Sequence, residues 1–413
     1  MIRIAHFSDL HLGVENYGKV DPETGLSSRV RDFLDRLDEL VSFALEEALD
    51  VVVFSGDAFR DRRPDPTYQR DFARRINRLA RSGIAVVLVA GNHDLPVMLV
   101  KATSVDIFRA LEVENVYVSA RKEDLWRLEL RDGRMLQVAT FPYPNRSRLL
   151  LDEEHRRRPL REQEEYLRAQ LTQNLVDLAE QVDPTIPAIL VAHLMVLGSD
   201  LGTEQRMVLG YEPDVLVGAV AHPVYDAVLL GHVHRSQVLR KDAPPVLYAG
   251  SLERVDFGDE GQEKGFYLIE IAEGEDRPRD VRYQFIPVAA RRFFTLEIDA
   301  GQGEPMERAL RAIAEAQEAG QISEAVVRLR LHVRPEDADL VDVPALRRAL
   351  EEAFFVAAVS VEVGGEERAA IRAPLDRMEP LEALERYWIA RGVSAKRRTI
   401  LLEQAQALMT QEA

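Results

Sequence analysis

The chain has no cysteine among its 413 residues. Disulfides, thiolate metal sites and cysteine nucleophiles are therefore excluded, and any bound metal must be held by nitrogen and oxygen donors, which suits Mn²⁺, Mg²⁺, Fe²⁺ or Zn²⁺. Lysine is almost as scarce. Of 53 basic residues only six are lysine, so the basic surface is made of arginine, which grips phosphate in two-pronged fashion. No apolar run approaches the roughly 20 residues of a membrane span. The opening Met1-Ile2-Arg3-Ile4-Ala5 lacks the apolar stretch and small-residue cleavage site of a signal peptide. A cytoplasmic protein without a membrane segment is expected. Internal repeats and low-complexity tracts are also missing. The net charge of −17 argues against a protein coated in nucleic acid. It leaves room for a local phosphate-binding cleft, because bound cations invert the charge of a carboxylate-rich site.

What is present is a series of short clusters: Asp9-Leu10-His11, Gly56-Asp57, Gly91-Asn92-His93-Asp94, His193 and Gly231-His232-Val233-His234. Each closes an apolar, strand-like run. The spacing predicts a strand over 2–7, an amphipathic helix over 27–48, a strand over 51–54, a helix over 67–81 and a strand over 85–90. This β-α-β-α-β order places ligands at the carboxyl ends of strands, where open α/β sheets build their sites. Residues 116–141 read as shorter antiparallel strands around Asp132-Gly133, and 162–182 as a helix. Strands ending at His193 and Gly231 follow. Segments 246–248 and 266–271 are expected to close a second sheet. Beyond about 290 the pattern becomes a small α+β module, and after Pro374 two helices carry apolar faces.

The clusters supply ligands for two divalent cations. Two metals about 3.5–4 Å apart clamp a phosphate and activate water between them, and they need a bridging carboxylate. Asp57 is the candidate bridge. Asp9, His11 and His234 would complete one metal site, and Asn92, His193 and His232 the other. In Asp-x-His and His-x-His on extended chain, alternate residues share a side, and glycines at 56, 91 and 231 permit tight turns. His93, beside a ligand but pointing elsewhere on extended chain, is a candidate proton donor to a leaving oxygen, with Asp94 expected to hold its other ring nitrogen. His6, inside the first strand, reads as a packed residue, and His155, His222 and His332 as surface or core residues.

The cluster series resembles the calcineurin-like metallophosphoesterase superfamily. More narrowly, the chain is similar to the SbcD family of DNA-repair nucleases, counterparts of the nuclease subunit of the eukaryotic MRN complex. That narrower likeness rests on Ser8-Asp9-Leu10-His11-Leu12-Gly13, Gly231-His232-Val233-His234-Arg235-Ser236-Gln237, Tyr248-Ala249-Gly250-Ser251-Leu252-Glu253, Asp256-Phe257-Gly258 and Lys264-Gly265-Phe266.

The resemblance implies an α/β fold: a four-layer α-β-β-α sandwich with a small α+β capping domain and a C-terminal helix pair. The expected domains are a nuclease core over 1–285, a DNA-capping domain over 286–372 and a docking motif for a partner ATPase over 373–413. The implied activity is a Mn²⁺-dependent 3′-to-5′ DNA exonuclease and single-strand or hairpin endonuclease in double-strand-break repair, with Mg²⁺ a second possibility. It would act on DNA ends and hairpins as a homodimer, together with an SbcC-type coiled-coil ATPase. The family's ligands carry over onto Asp9, His11, Asp57, Asn92, His193, His232 and His234, and its leaving-group residue onto His93. Arg146, Arg148 and Arg157 are candidate DNA contacts. Leu384, Tyr387, Trp388, Leu401 and Leu408 are candidate partner contacts.

One departure matters. Archaeal relatives have a histidine three residues after the bridging aspartate, where this chain has Arg60. Arginine stabilises phosphate charge but exchanges no proton at neutral pH. Two alternatives stand beside the nuclease: another phosphodiesterase or phosphatase on the same metal site, and, motivated by Arg60, a DNA-end-binding scaffold with weak cleavage.

Overall fold

The computed structural model describes residues 1–96, 101–145, 149, 158–201, 213–274, 277–364, 381, 384–385, 388, 397–399, 401–402 and 404–405. The chain divides into two compact units, Met1–Phe293 and Phe294–Ala413.

The first unit opens with β1 (Ile2–Phe7), α1 (Ser28–Glu46), β2 (Val51–Phe54), α2 (Pro66–Arg81), β3 (Ala85–Val89), α3 (Asp106–Ala110) and β4 (Val116–Ser119). Ser27 and Asp65 cap α1 and α2 by accepting the backbone N–H two residues on, as short polar side chains do at helix starts. β5 (Asp124–Glu129) and β6 (Met135–Phe141) form a hairpin. After it come α4 (Leu160–Ala179), β7 (Ala188–His193), the short strands β8 (Met195–Val196) and β9 (Asp214–Val215), α5 (Val217–Val220) and β10 (Ala227–Gly231). β11 (Gln237–Arg240), β12 (Val246–Tyr248), β13 (Gly265–Ile271) and β14 (Val281–Pro287) complete the unit.

Two six-stranded sheets result, in the orders β14-β13-β1-β2-β3-β4 and β11-β12-β10-β7-β6-β5. β1 to β4 are parallel, as are β6, β7, β10 and β12. Side-chain alternation along each strand separates the layers. Ile2, Ile4, Val51 and Val53 meet Val138, Ile189, Val191 and Leu229 between the sheets. The opposite residues Ala5, Phe7, Val52 and Phe54 pack on Val30, Phe33 and Leu37 of α1 and on Phe72 and Ile76 of α2. On the second sheet Ala139, Leu190 and Val228 meet Leu171 and Leu175 of α4. Four layers, α-β-β-α, follow from these three apolar contacts.

Two strands fall elsewhere than the sequence pattern places them. β4 pairs parallel with β3 rather than joining the β5–β6 hairpin. β13 pairs antiparallel with β1 and closes the first sheet, not the second. Both are fully or partly buried strands whose alternation carries no address for a sheet.

The second unit holds β15 (Phe293–Asp299, its first residue in the first unit), α6 (Pro305–Glu318), β16 (Val326–Val333), α7 (Val343–Ala349) and β17 (Phe355–Val363). Its sheet runs β15-β16-β17, with β16 and β17 parallel. Its core joins Ile298, Ala309, Ile313, Leu329, Leu331 and Leu346. His332, read from sequence as a bystander, pairs with Glu297 at 3.1 Å. Among the described residues no helix is long and apolar enough to cross a membrane.

Candidate metal centre

Five parallel strands deliver the clusters. β1 ends two residues before Asp9, β2 three before Asp57, and β3 three before Asn92. β7 ends on His193, and β10 one residue before His232. The turns leaving these strands require unusual backbone: Asp9, His11, Asp57 and His232 all have positive φ, between 46° and 100°. Backbone bonds from Asp9 N–H to the Gly56 carbonyl (2.9 Å) and from His11 N–H to the Asp57 carbonyl (3.0 Å) tie the first two turns together. Gly91 lies so close to Asp57 that a Cβ there would meet Asp57 Oδ1 at 2.1 Å. At Gly56 it would strike His193 Nδ1 at 2.2 Å. Gly91 is needed for this close approach, and Gly56, at φ +103°, both for close approach and for a backbone conformation that side-chain-bearing residues rarely adopt.

The described structure brings the clusters together. Ligand atoms of Asp9, His11 and His234 lie within 4.8 Å of one another, as do those of Asp9, Asp57 and His193. Asp57 Oδ2 lies 3.7 Å from His11 Nε2 and 3.5 Å from His193 Nε2. Asn92 Oδ1 sits 3.0 Å from His193 Nε2 and 3.2 Å from His232 Nδ1. His11 Nε2 and His234 Nε2 are 2.9 Å apart.

Neighbouring groups orient these ligands. The Ser55 carbonyl, 2.7 Å from His193 Nδ1, makes Nδ1 the donor and leaves the Nε2 lone pair toward Asp57, the arrangement typical of metal-binding imidazoles. The backbone N–H of His232 donates to both Asp9 oxygens at 3.1 Å, and Ser8 Oγ donates to Asp9 Oδ2 at 2.5 Å. Tyr143 lays its ring beside His193 and His232, with centroids 6.0 and 5.8 Å away.

Burial sets the charge of the centre. Desolvation, helped by neighbouring histidines, holds His11 and His193 well below the usual imidazole range. It brings His234 to about 4. The same desolvation raises Asp9 to about 6. The imidazoles of His11, His193 and His234 are thus neutral at pH 7 and able to donate lone pairs. A buried cluster of carboxylate, amide and neutral imidazole donors fits a divalent cation well.

His93 lies nearer the cluster than its alternation predicts: a ligand atom of His93 is within 4.8 Å of those of His11 and Asp57. Its Nδ1 is 2.7 Å from the Arg60 carbonyl. The expected Asp94–His93 bond is replaced by another arrangement. The buried Asp94 carboxylate accepts the backbone N–H groups of Asp57 (2.9 Å), Ala58 (3.2 Å) and Gly91 (3.0 Å) and the Ser104 hydroxyl (2.9 Å). Asp94 therefore shapes the turn that presents Asp57, because its side chain points inward under the two loops. The Arg60 side chain is exposed, beside Arg63 and Tyr68 on a cleft of about 370 Å³.

Sequence reasoning missed Ser55, Ser104 and Tyr143, none of which belongs to a motif. Arg146, Arg148 and Arg157 lie outside the described residues, as do Tyr387 and Leu408. Leu384, Trp388 and Leu401 are half-buried helical residues of the second unit.

An α-β-β-α sandwich that gathers Asp, Asn and His side chains at its parallel strand ends has the architecture of a metallophosphoesterase. The chain belongs to the calcineurin-like phosphoesterase family, whose model matches residues 2–236. Among curated proteins it is similar to SbcD of the nuclease SbcCD from Bacillus subtilis, 25% identical over 280 residues, which cover 67% of this chain and 68% of that protein. It is 27% identical over 363 residues to the DNA double-strand break repair protein Mre11 of Haloferax volcanii, covering 87% of this chain and 67% of that one. SbcD of the nuclease SbcCD from Escherichia coli K12 is 28% identical over 287 residues, covering 66% of each chain. The chain spans about two thirds of the length of these relatives.

Proposed function

We propose that this protein is a metal-dependent DNA nuclease of double-strand-break repair, a 3′-to-5′ exonuclease and single-strand or hairpin endonuclease that works at a two-metal centre. Mn²⁺ is the favoured cation. The observation that carries this reading is the position of Asp57 Oδ2 close to both His11 and His193, flanked by Asp9 and His234 on one side and Asn92 and His232 on the other. Divalent cations there would supply Lewis-acid polarisation of a phosphodiester and a water of lowered pKa.

The chain's own residues do the rest. Asp57 and Asp94 fix the turn that spaces the two ligand groups. His93, its Nδ1 held at the Arg60 carbonyl, keeps its other nitrogen for delivering a proton to the departing oxygen. Arg60 and Arg63 offer guanidinium charge to the substrate phosphates. The similarity to proteins named for the nuclease SbcCD and for Mre11 supports DNA as the substrate and an SbcC-type ATPase as the partner.

The test is Mn²⁺-dependent degradation of end-labelled duplex and hairpin DNA, with a p-nitrophenyl phosphodiester in parallel. Loss of label from 3′ ends, abolished by EDTA, is expected. Hydrolysis of the small diester with DNA left intact, even after the ATPase is added, would assign the site to another phosphodiesterase.

A further inference from the structure

Lys264 is fully buried, with its side chain 1% exposed, and a buried ammonium is costly unless it is paired and hydrogen-bonded. Its Nζ lies 2.8 Å from Asp259 Oδ1, 2.9 Å from Ser251 Oγ, 3.1 Å from Gln262 Oε1 and 3.0 Å from the backbone carbonyl of His234. Three protons are shared among four acceptors. Three of those acceptors belong to the loop between β12 and β13. The fourth belongs to a residue of the metal cluster that follows β10.

The topology gives that fourth bond its meaning. His234 leaves the end of β10 in the second sheet, whereas Asp9 and His11 leave the end of β1 in the first. A ligand group made of Asp9, His11 and His234 therefore forms only if the two sheets are held at a fixed separation there. Lys264 immediately precedes β13, which pairs with β1 in a register that sets His6 opposite Tyr267. Its backbone is pinned as well, with the Lys264 carbonyl accepting Val288 N–H at 2.9 Å. The His234 carbonyl accepts a second bond from Ser251 N–H at 3.1 Å. Gly250 makes this approach possible: a Cβ on it would lie 2.8 Å from the same carbonyl.

We infer that Lys264 is a positioning residue for the metal centre, an ammonium bolt between the sheets that sets where His234 stands relative to Asp9 and His11. This rests on the two-metal reading of the site. It accounts for the Lys264-Gly265 and Gly250-Ser251 motif segments, which contribute no ligand. It also explains why the site tolerates a cation so close: Asp259, 4% exposed, neutralises Lys264, so the nearby divalent ion meets a balanced pair.

The experiment is calorimetric titration of the full chain with Mn²⁺, alongside thermal melts of the metal-free protein. Lys264→Met/Asp259→Asn removes the ion pair without leaving a bare charge. Wild type is expected to bind two Mn²⁺. The double variant should lose affinity at one site by about ten-fold, the lower end for residues that orient a ligand, with the other site unchanged. A merely structural lysine would lower the melting temperature of the metal-free protein and leave both affinities equal to wild type, which overturns the inference. Should the double variant fail to fold, Lys264→Gln/Asp259→Asn keeps a neutral donor of shorter reach. It should fold and weaken the same single site several-fold, and unchanged binding by it is equally fatal. A wild-type protein that binds fewer than two ions would refute the two-metal reading itself, an outcome separate from failure of the bolt.

Discussion

At the scale of single residues, the candidate centre is shaped by groups outside the proposed ligand set. Asp94 is the clearest case. Its carboxylate is the acceptor for three buried backbone N–H groups, of Asp57, Ala58 and Gly91. Leaving a buried donor unpaired costs roughly 1–3 kcal/mol. Asp94→Ala is therefore expected to destabilise the fold by about 3 kcal/mol or more and to weaken metal binding, because the Asp57 turn loses its template. A melting curve and a Mn²⁺ titration check both, and a variant as stable as wild type would show that water replaces the carboxylate. His93 is predicted to behave in the opposite way. Its ring hydrogen-bonds to the Arg60 carbonyl and supports no buried loop, so His93→Ala should keep both metals and the wild-type melting temperature. DNA cleavage should fall by roughly 10²- to 10⁴-fold, the usual worth of a positioned acid. Cleavage at the wild-type rate would remove His93 from the mechanism.

At the scale of elements, β1 shows what sequence can and cannot convey. Its alternation places Ile2, Ile4 and His6 on one face, and His6 reads correctly as a packed residue. His6 is fully buried, its Nε2 2.9 Å from Ser55 Oγ and its Nδ1 without a hydrogen-bond partner among the described residues. Desolvation brings its pKa from 6.5 to about 3. The unfolded chain therefore holds one more proton than the folded one between those values. Stability is full above pH 6.5 and falls as pH drops toward 3, by about 1.4 kcal/mol per pH unit for this one group. His11, His193 and His234 act in the same direction in the metal-free protein. Denaturant melts in EDTA between about pH 4 and 6, inside that window, should thus give His6→Gln a slope shallower by about one proton, and an identical slope would mean that His6 titrates in the folded state. The clusters that converge at the candidate site were legible because each sits where an apolar run stops. The sheet to which β4 and β13 belong was not, since strand partnership is decided by tertiary packing. The partners of Asp94 were illegible for a related reason: spacing gives which residues are near, whereas the direction of a side chain under a positive-φ turn depends on the loop opposite.

At the scale of the whole molecule, the C-terminal segment is the part whose role folding alone does not explain. Among the described residues, the core of the second unit is built between Phe294 and Val361, well before Pro374. The described helical residues further on, Leu384, Trp388 and Leu401, are half-buried and belong to none of the apolar cores that the described residues form. Apolar side chains at helical spacing outside those cores are best suited to a helical partner, and the proposed SbcC-type ATPase, with its long coiled coil, offers one. Ending the chain after Ile371 should therefore leave a protein that melts within a few degrees of wild type, binds Mn²⁺ and hydrolyses a small phosphodiester at the same rate, yet no longer co-purifies with that ATPase. The ATPase-dependent part of its DNA cleavage should disappear in the same variant, because the proposed catalytic residues all lie between Asp9 and His234 and remain intact. If the truncated chain still forms the complex, docking must be carried by the first unit or by the three-stranded module, and the terminal apolar residues would then serve only intramolecular packing.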